Sequence, residues 1–137
     1  MSRRSRAREV ALQILFEDDV NPRAAVSDMK TFVHGRLNNP ELEEFCMSLI
    51  LGVRRNQAEL DQQLSQIADN WSIARMAATD RNVMRLGAYE ILYTDTPDRA
   101  AINEAVELAK RFGSAQSAQF VNGILDKFIN RKEPPAS

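Results

Sequence analysis

A single cysteine, Cys46, and a single histidine, His34, occur in this chain of 137 residues. One cysteine excludes an internal disulfide and points to a reducing compartment, so the cytoplasm is the expected location. No zinc-ligand spacing occurs, and His34 has no second imidazole or nearby cysteine motif. His34 is therefore expected to be structural or on the surface. No Ser/His/Asp or Cys/His set and no phosphate-cradling glycine loop is present. Carboxylates are numerous but spread over helix surfaces, as with Glu41, Glu43 and Glu44 in one first turn. Long apolar runs are missing as well. The longest is a few residues around Leu49 to Leu51, too short for a membrane span. The arginine-rich start lacks the apolar stretch of a secretory signal. No enzyme, metal or cofactor is expected, and a binding module is the stronger class.

Charge is present, but unevenly placed. Arg3, Arg4, Arg6 and Arg8 precede the first acid, Glu9. Without those four, 14 basic residues face 19 acidic ones, in a chain of net charge −1. One local anion-binding patch is the functional reading, with phosphates as its ligand; a frayed, solvated tail is the plain one. Cations at a helix N-terminus oppose the macrodipole and cost a few tenths of a kcal/mol each. Helix stability does not account for them, which favours function.

The apolar spacing predicts helices throughout and no strands. Ala7, Val10, Ala11, Ile14 and Leu15 form the stripe of a first helix from about Arg3 to Asp18. Leu12 and Phe16 point away from that stripe, so this helix is either sandwiched within the domain or offers a second side to a partner. Asn21-Pro22 and Asn38-Asn39-Pro40 each read as a stop followed by a start. The second helix, to about Arg36, turns Ala25, Met29, Phe32 and Val33 inward. The third is long, running from Leu42 through Ile67 with a thinner pattern near Gly52 to Asn56, where it could kink. Cys46 lies on its stripe as a small buried hydrophobe. Trp71 to Ala78 forms a less regular connector with room for a short helical turn. Thr79 caps a fourth helix with Asp80 in its first turn, and this helix buries Val83, Met84, Ala88, Ile91 and Leu92.

Ala101 to Asp126 reads as two amphipathic helices joined at Phe112-Gly113-Ser114. Gly113 is the residue suited to a left-handed helix end, and Ser114 can accept from the next helix's amides. Asn122-Gly123 falls inside the last helical pattern, where glycine usually permits close helix approach. Phe120 falls roughly 90° from the stripe centred on Val121 and Leu125. A large aromatic on that shoulder is either peripheral core or displayed to a ligand.

Three stretches, in this order, resemble the NusB family of bacterial transcription antitermination factors. They are Arg4 to Phe16 (RSRAREVALQILF), Arg85 to Tyr93 (RLGAYEILY), and Ala101 to Asp126 with its AINEAVELAKRFG and FVNGILD runs. The resemblance covers nearly the whole length, and its C-terminal pair is the most specific part. It implies an all-α fold of six to seven helices in two small packed bundles, with residues 1–130 as one RNA-binding domain; the Pro-rich residues 131–137 are expected to form a disordered tail. It further implies binding of boxA RNA from ribosomal RNA leader transcripts, jointly with the NusE-type ribosomal protein, within an RNA polymerase antitermination complex. The implied RNA face comprises Arg3, Arg4, Arg6, Arg8, Arg85, Gln116, Gln119 and Phe120. Leu12, Phe16 and Asp80 would meet the NusE-type partner, and the Leu12/Phe16 surface could instead serve a second copy in a homodimer. Residues 114–119, SAQSAQ, carry no charge where the family often has acidic and basic residues. Two readings stand beside this one: the RNA-binding N-terminal part of an RNA cytosine methyltransferase, or a helical scaffold without RNA.

Overall fold

A helix leaves amides unsatisfied at its start and carbonyls at its end, so the residues able to satisfy them set its limits. The computed structural model describes residues 3–68 and 72–132, the side chains of 131 and 132 excepted. Its helices are α1 (Arg3–Val20), α2 (Val26–Leu37), α3 (Pro40–Ile67), α4 (Ala78–Tyr93), α5 (Asp98–Phe112) and α6 (Ser117–Lys132). A 3-10 turn at Ile73–Arg75 precedes α4. No strand occurs among the described residues, and no helix there is long and apolar enough to cross a membrane.

The Asn38-Asn39-Pro40 junction behaves as its residues dictate. Asn38 ends α2 in the left-handed region at φ 47° and donates its N–H to the His34 carbonyl. Asn39 then accepts from the Leu42 N–H at 3.1 Å while Glu43 accepts from the Asn39 N–H at 2.9 Å. The reciprocal pair is a capping-box arrangement, and Pro40 fills the first helical position, where its missing N–H costs nothing. The other oxygen of Glu43 lies 3.0 Å from His34 Nδ1, which places the histidine at a surface corner.

Other expected boundaries move. Pro22 does not start α2, which begins at Val26 behind an extended Ala25 with no side-chain cap. Ala25 is exposed and Phe32 half-buried, leaving Met29 and Val33 as the inward residues. Thr79 lies inside the first turn of α4 rather than at its cap, which falls on Ala77. α3 is continuous. α6 extends through Lys132, so residues 131 and 132, expected in the tail, are helical; residues 133–137 and Trp71 lie outside the described residues.

The chain divides into two compact units, Met1–Arg55 and Asn56–Ser137. The first unit buries Ala7, Val10, Ala11, Ile14 and Leu15 of α1 with Met29, Val33, Cys46, Leu49, Ile50 and Val53. Arg54 closes it, donating from Nε and Nη2 to the two oxygens of Asp18 at 2.7 and 2.6 Å. A forked pair of this kind fixes orientation as well as distance.

In the second unit α4, α5 and α6 pack on one another, with Val83, Ile102, Ala105, Val121 and Leu125 buried. Gly87 permits this approach. A Cβ there would lie 2.8 Å from Leu125 Cδ1 and 3.3 Å from the Ala105 methyl. The expected close approach at Gly123 is absent, since a Cβ there would meet nothing within 4 Å. Gly113 is likewise not left-handed but extended, at φ −96° and ψ −167°. Its lack of a side chain serves the next turn, because a Cβ would run into the Ser117 side chain and lie 2.8 Å from the Ala109 carbonyl.

Two measurable consequences follow from this packing. Gly87→Val should cost about 2–3 kcal/mol in urea unfolding through overpacking, whereas Gly123→Ala should add about 0.5–1 kcal/mol through helix propensity. Burial pushes the Cys46 thiol from its ordinary 9.0 up to about 12. The unfolded chain therefore loses this proton first, and the stabilisation is complete below about pH 9 and declines as pH rises toward 12. The stability advantage of wild type over Cys46→Ala should shrink above pH 9, by at most about 1.4 kcal/mol per pH unit.

Candidate nucleic-acid interface

Two groups of residues carry the chemistry, one in each unit. In the first unit the arginines stand on the opening turns of α1, which has no acid in its first turn. Arg3, Arg4 and Arg6 are exposed, and Arg8 is buried at 6% exposure. Three different environments hold the side chains. The Arg6 Nη1 donates to Glu9 Oε2 at 3.0 Å, so its charge is partly neutralised. Arg4 and Arg8, one turn apart and therefore on one helix face, both place their guanidinium groups over the ring of Phe45. They lie 4.3 and 5.2 Å from its centroid. Cation–π contacts contribute about 0.5–1 kcal/mol when exposed and about 2 or more when desolvated. Arg3 has no ion pair among the described residues.

In the second unit the loop between α5 and α6 is held by hydroxyls. The buried Ser117 accepts from the Ser114 N–H at 2.9 Å, and the two hydroxyl oxygens lie 3.2 Å apart. The expected cap is thus reversed: Ser117 reaches back to Ser114. Behind this lock the Gln116 carbonyl accepts from the Phe120 N–H at 3.1 Å, starting α6. Residues 116, 119 and 120 share one side at i, i+3 and i+4. Gln116 and Gln119 are exposed and Phe120 is half-buried. Phe120 is therefore neither fully displayed nor core, since Val121, Leu125 and Phe128 fill the interior.

Arg85 is held by an ion pair within its own unit. It is 5% exposed, and its Nε and Nη2 donate to the two oxygens of Asp61 at 2.7 and 2.8 Å. Its Nη1 lies 3.3 Å from Asn82 Oδ1. The guanidinium is held within the unit, and Arg85, like Arg8, is buried. Of the expected partner residues, Phe16 is exposed at 37% and Leu12 is buried at 4%. The chain itself covers Leu12, so only Phe16 is displayed. Asp80 is half-buried in the first turn of α4, and its Oδ1 is buried with no hydrogen-bond partner among the described residues. Beside it Arg81 Nη1 donates to the carbonyls of Ile73 and Met76 at 3.1 and 2.9 Å, fixing the 3-10 turn.

Sequence pattern alone does not reveal Phe45 and Asp61. Phe45 reads as one more apolar residue of the α3 stripe, and Asp61 as an ordinary surface acid. Neither carries a local signal, because each acts on an arginine of another helix.

Comparison with known proteins bears on this geometry. The NusB family profile matches residues 5–130. The transcription antitermination protein NusB of Desulfatibacillum aliphaticivorans is 43% identical over 127 residues, which span 92% of this chain and 89% of that protein. The protein of the same name from Anaeromyxobacter dehalogenans strain 2CP-1 is 40% identical over 134 residues, spanning 97% and 94%. Among solved structures, T. maritima NusB superposes with a TM-score of 0.84 at 32% identity, covering 98% of this chain and 94% of that one. A chain from a complex of the antitermination factors NusB and NusE with double-stranded RNA gives 0.81 at 25% identity, covering 96% and 98%.

The commitment of Arg85 has a direct test. Asp61→Ala leaves a buried cation without its counter-ion, a change that costs about 3–5 kcal/mol for a fully buried pair. With the Asp61 side chain 28% exposed, the expected loss in urea unfolding is about 2–3 kcal/mol. Asp61→Asn should lose less, because one acceptor remains.

Proposed function

The chain belongs to the NusB family, and we propose that it is an RNA-binding transcription antitermination factor, not an enzyme, acting in the cytoplasm. In this reading it binds boxA RNA of ribosomal RNA leader transcripts together with a NusE-type ribosomal protein and helps RNA polymerase resist termination. The observation that carries the reading is the exposed arginine group on α1. Arg3 and Arg4 stand on a helix end that they do not stabilise, and neither is in an ion pair among the described residues. Phosphates are the natural counter-charge, and the contact is salt-dependent by nature.

Arg3, Arg4 and Arg6 supply the phosphate contacts. Gln116 and Gln119 offer both donors and acceptors to base edges, and the half-buried Phe120 offers its ring to an unpaired base. The absence of charge in residues 114–119 leaves the α6 N-terminus as the local positive end. Arg8 and Arg85 hold structure around these contacts. Phe16 in the first unit and Asp80 in the second are the residues proposed to meet the NusE-type protein, and Leu12 is buried.

Binding of a boxA-type single strand, measured against a scrambled strand across salt concentrations, tests the RNA reading; equal affinities would sink sequence recognition. Phe120→Ala should weaken binding by about 1–3 kcal/mol with little change in melting temperature. Replacing Arg3, Arg4 and Arg6 by Ala should lower the salt slope by about one for each phosphate no longer neutralised. An unchanged slope would return the chain to a scaffold role. Co-elution with the NusE-type protein, with and without RNA, separates that partner from a second copy of this chain.

A further inference from the structure

The arginines are held by chemically different anchors. Arg85 is gripped by Asp61 and Arg6 by Glu9, and a carboxylate both positions a guanidinium and cancels its field. Phe45 does only the first. Its ring attracts the cations through its quadrupole and carries no net charge. Arg4, 4.3 Å from the centroid and in no ion pair among the described residues, is thus held in place at full charge, while the buried Arg8 lies 5.2 Å from the same ring. Arg4 is also exposed. A guanidinium resting on a ring keeps donors directed outward along its planar fork.

We propose that Phe45 is a positioning residue for RNA binding, a neutral aromatic anchor that preorganises Arg4, with Arg8 beside it, for a phosphate. This rests on the RNA reading above and adds a residue to it on α3. The anchor lies in the first turns of α3, after the Asn39–Glu43 cap, so a defined helix start sets its position. α1 supplies two cations at i and i+4, and α3 supplies one ring to both. Without the ring, Arg4 would sample many rotamers, and binding would have to order it. The residue contributes affinity without touching RNA.

The test is a double-mutant cycle read by fluorescence anisotropy with a boxA-type single strand, with folding followed by circular dichroism. Phe45→Leu keeps an apolar side chain on α3 and removes the quadrupole. It should lower affinity per folded molecule about fivefold, within the range of one exposed cation–π contact, and Phe45→Trp should restore most of it. Arg4→Ala should lower the salt slope by about one. In the Arg4→Ala background, Phe45→Leu should change affinity less than about twofold, because coupled residues do not add. Equal effects of Phe45→Leu in both backgrounds would overturn the inference, as would a lowered melting temperature with unchanged affinity. If wild type fails to prefer the boxA strand, or Arg4→Ala leaves the slope intact, the RNA reading itself falls and this inference with it. Normal behaviour of wild type and Arg4→Ala, with additive Phe45→Leu, removes the inference alone.

Discussion

The second unit depends on one absent side chain. Gly87 lets α4 approach Leu125 of α6 and Ala105 of α5 to distances that any Cβ would violate. Interiors packed at crystal-like density transmit such constraints. With α5 and α6 held against α4, the short link between them has little freedom. Gly113 leaves room for the Ser117 side chain, Ser117 takes the Ser114 amide, and the Gln116 carbonyl begins the α6 ladder. The side shared by Gln116, Gln119 and Phe120 is therefore set by core geometry several residues away. A recognition surface built on a rigid helix start presents its groups already oriented, which lowers the ordering cost of binding.

Charge is managed by a comparable economy. The kind of anchor that holds an arginine predicts what that arginine can still do. Arg54 on Asp18 and Arg85 on Asp61 are forked ion pairs; they orient helices within their own units and offer little residual field. Arg4 on Phe45 is oriented and still charged. Counting arginines therefore overstates the cationic surface, and the relevant set is smaller than the sequence pole suggests. Arg8 sits between the two cases, cationic yet covered.

Much of this is legible in the sequence. Helix number and type follow from apolar spacing, because a core stripe on a helix needs only local sequence to be seen. The Asn39-Pro40 start is legible for the same reason: its bonds close within four residues. Thr79 and Pro22 mislead, since their residue types permit a cap or a start that tertiary packing does not use. Gly113 and Gly123 take other tasks than their positions suggest, because a glycine's role depends on which neighbour would collide. The same holds for the arginines. Their number and position are visible, but Phe45 and Asp61 reach them from other helices, and spacing along one helix carries no information about that pairing. Periodicity places Phe120 on the helix shoulder, and its half-buried state reflects both alternatives at once.

The two groups of candidate contacts also differ in their dependence on solvent. The phosphate contacts proposed for α1 would gain most of their free energy by releasing counterions, and so would weaken steeply as salt rises. A base stacked on Phe120 or paired with Gln116 and Gln119 releases few ions and is far less sensitive. Proposed RNA contacts with charge confined to the first unit's group and none in residues 114–119 would separate affinity from selectivity. In the proposed reading the arginines would hold any strand, while the uncharged strip would reward only a strand whose bases fit. Added charge in that strip would strengthen binding to every sequence alike, and discrimination between strands would not improve. On this reading SAQSAQ is a way of keeping sequence-independent attraction out of the part of the surface that reads bases.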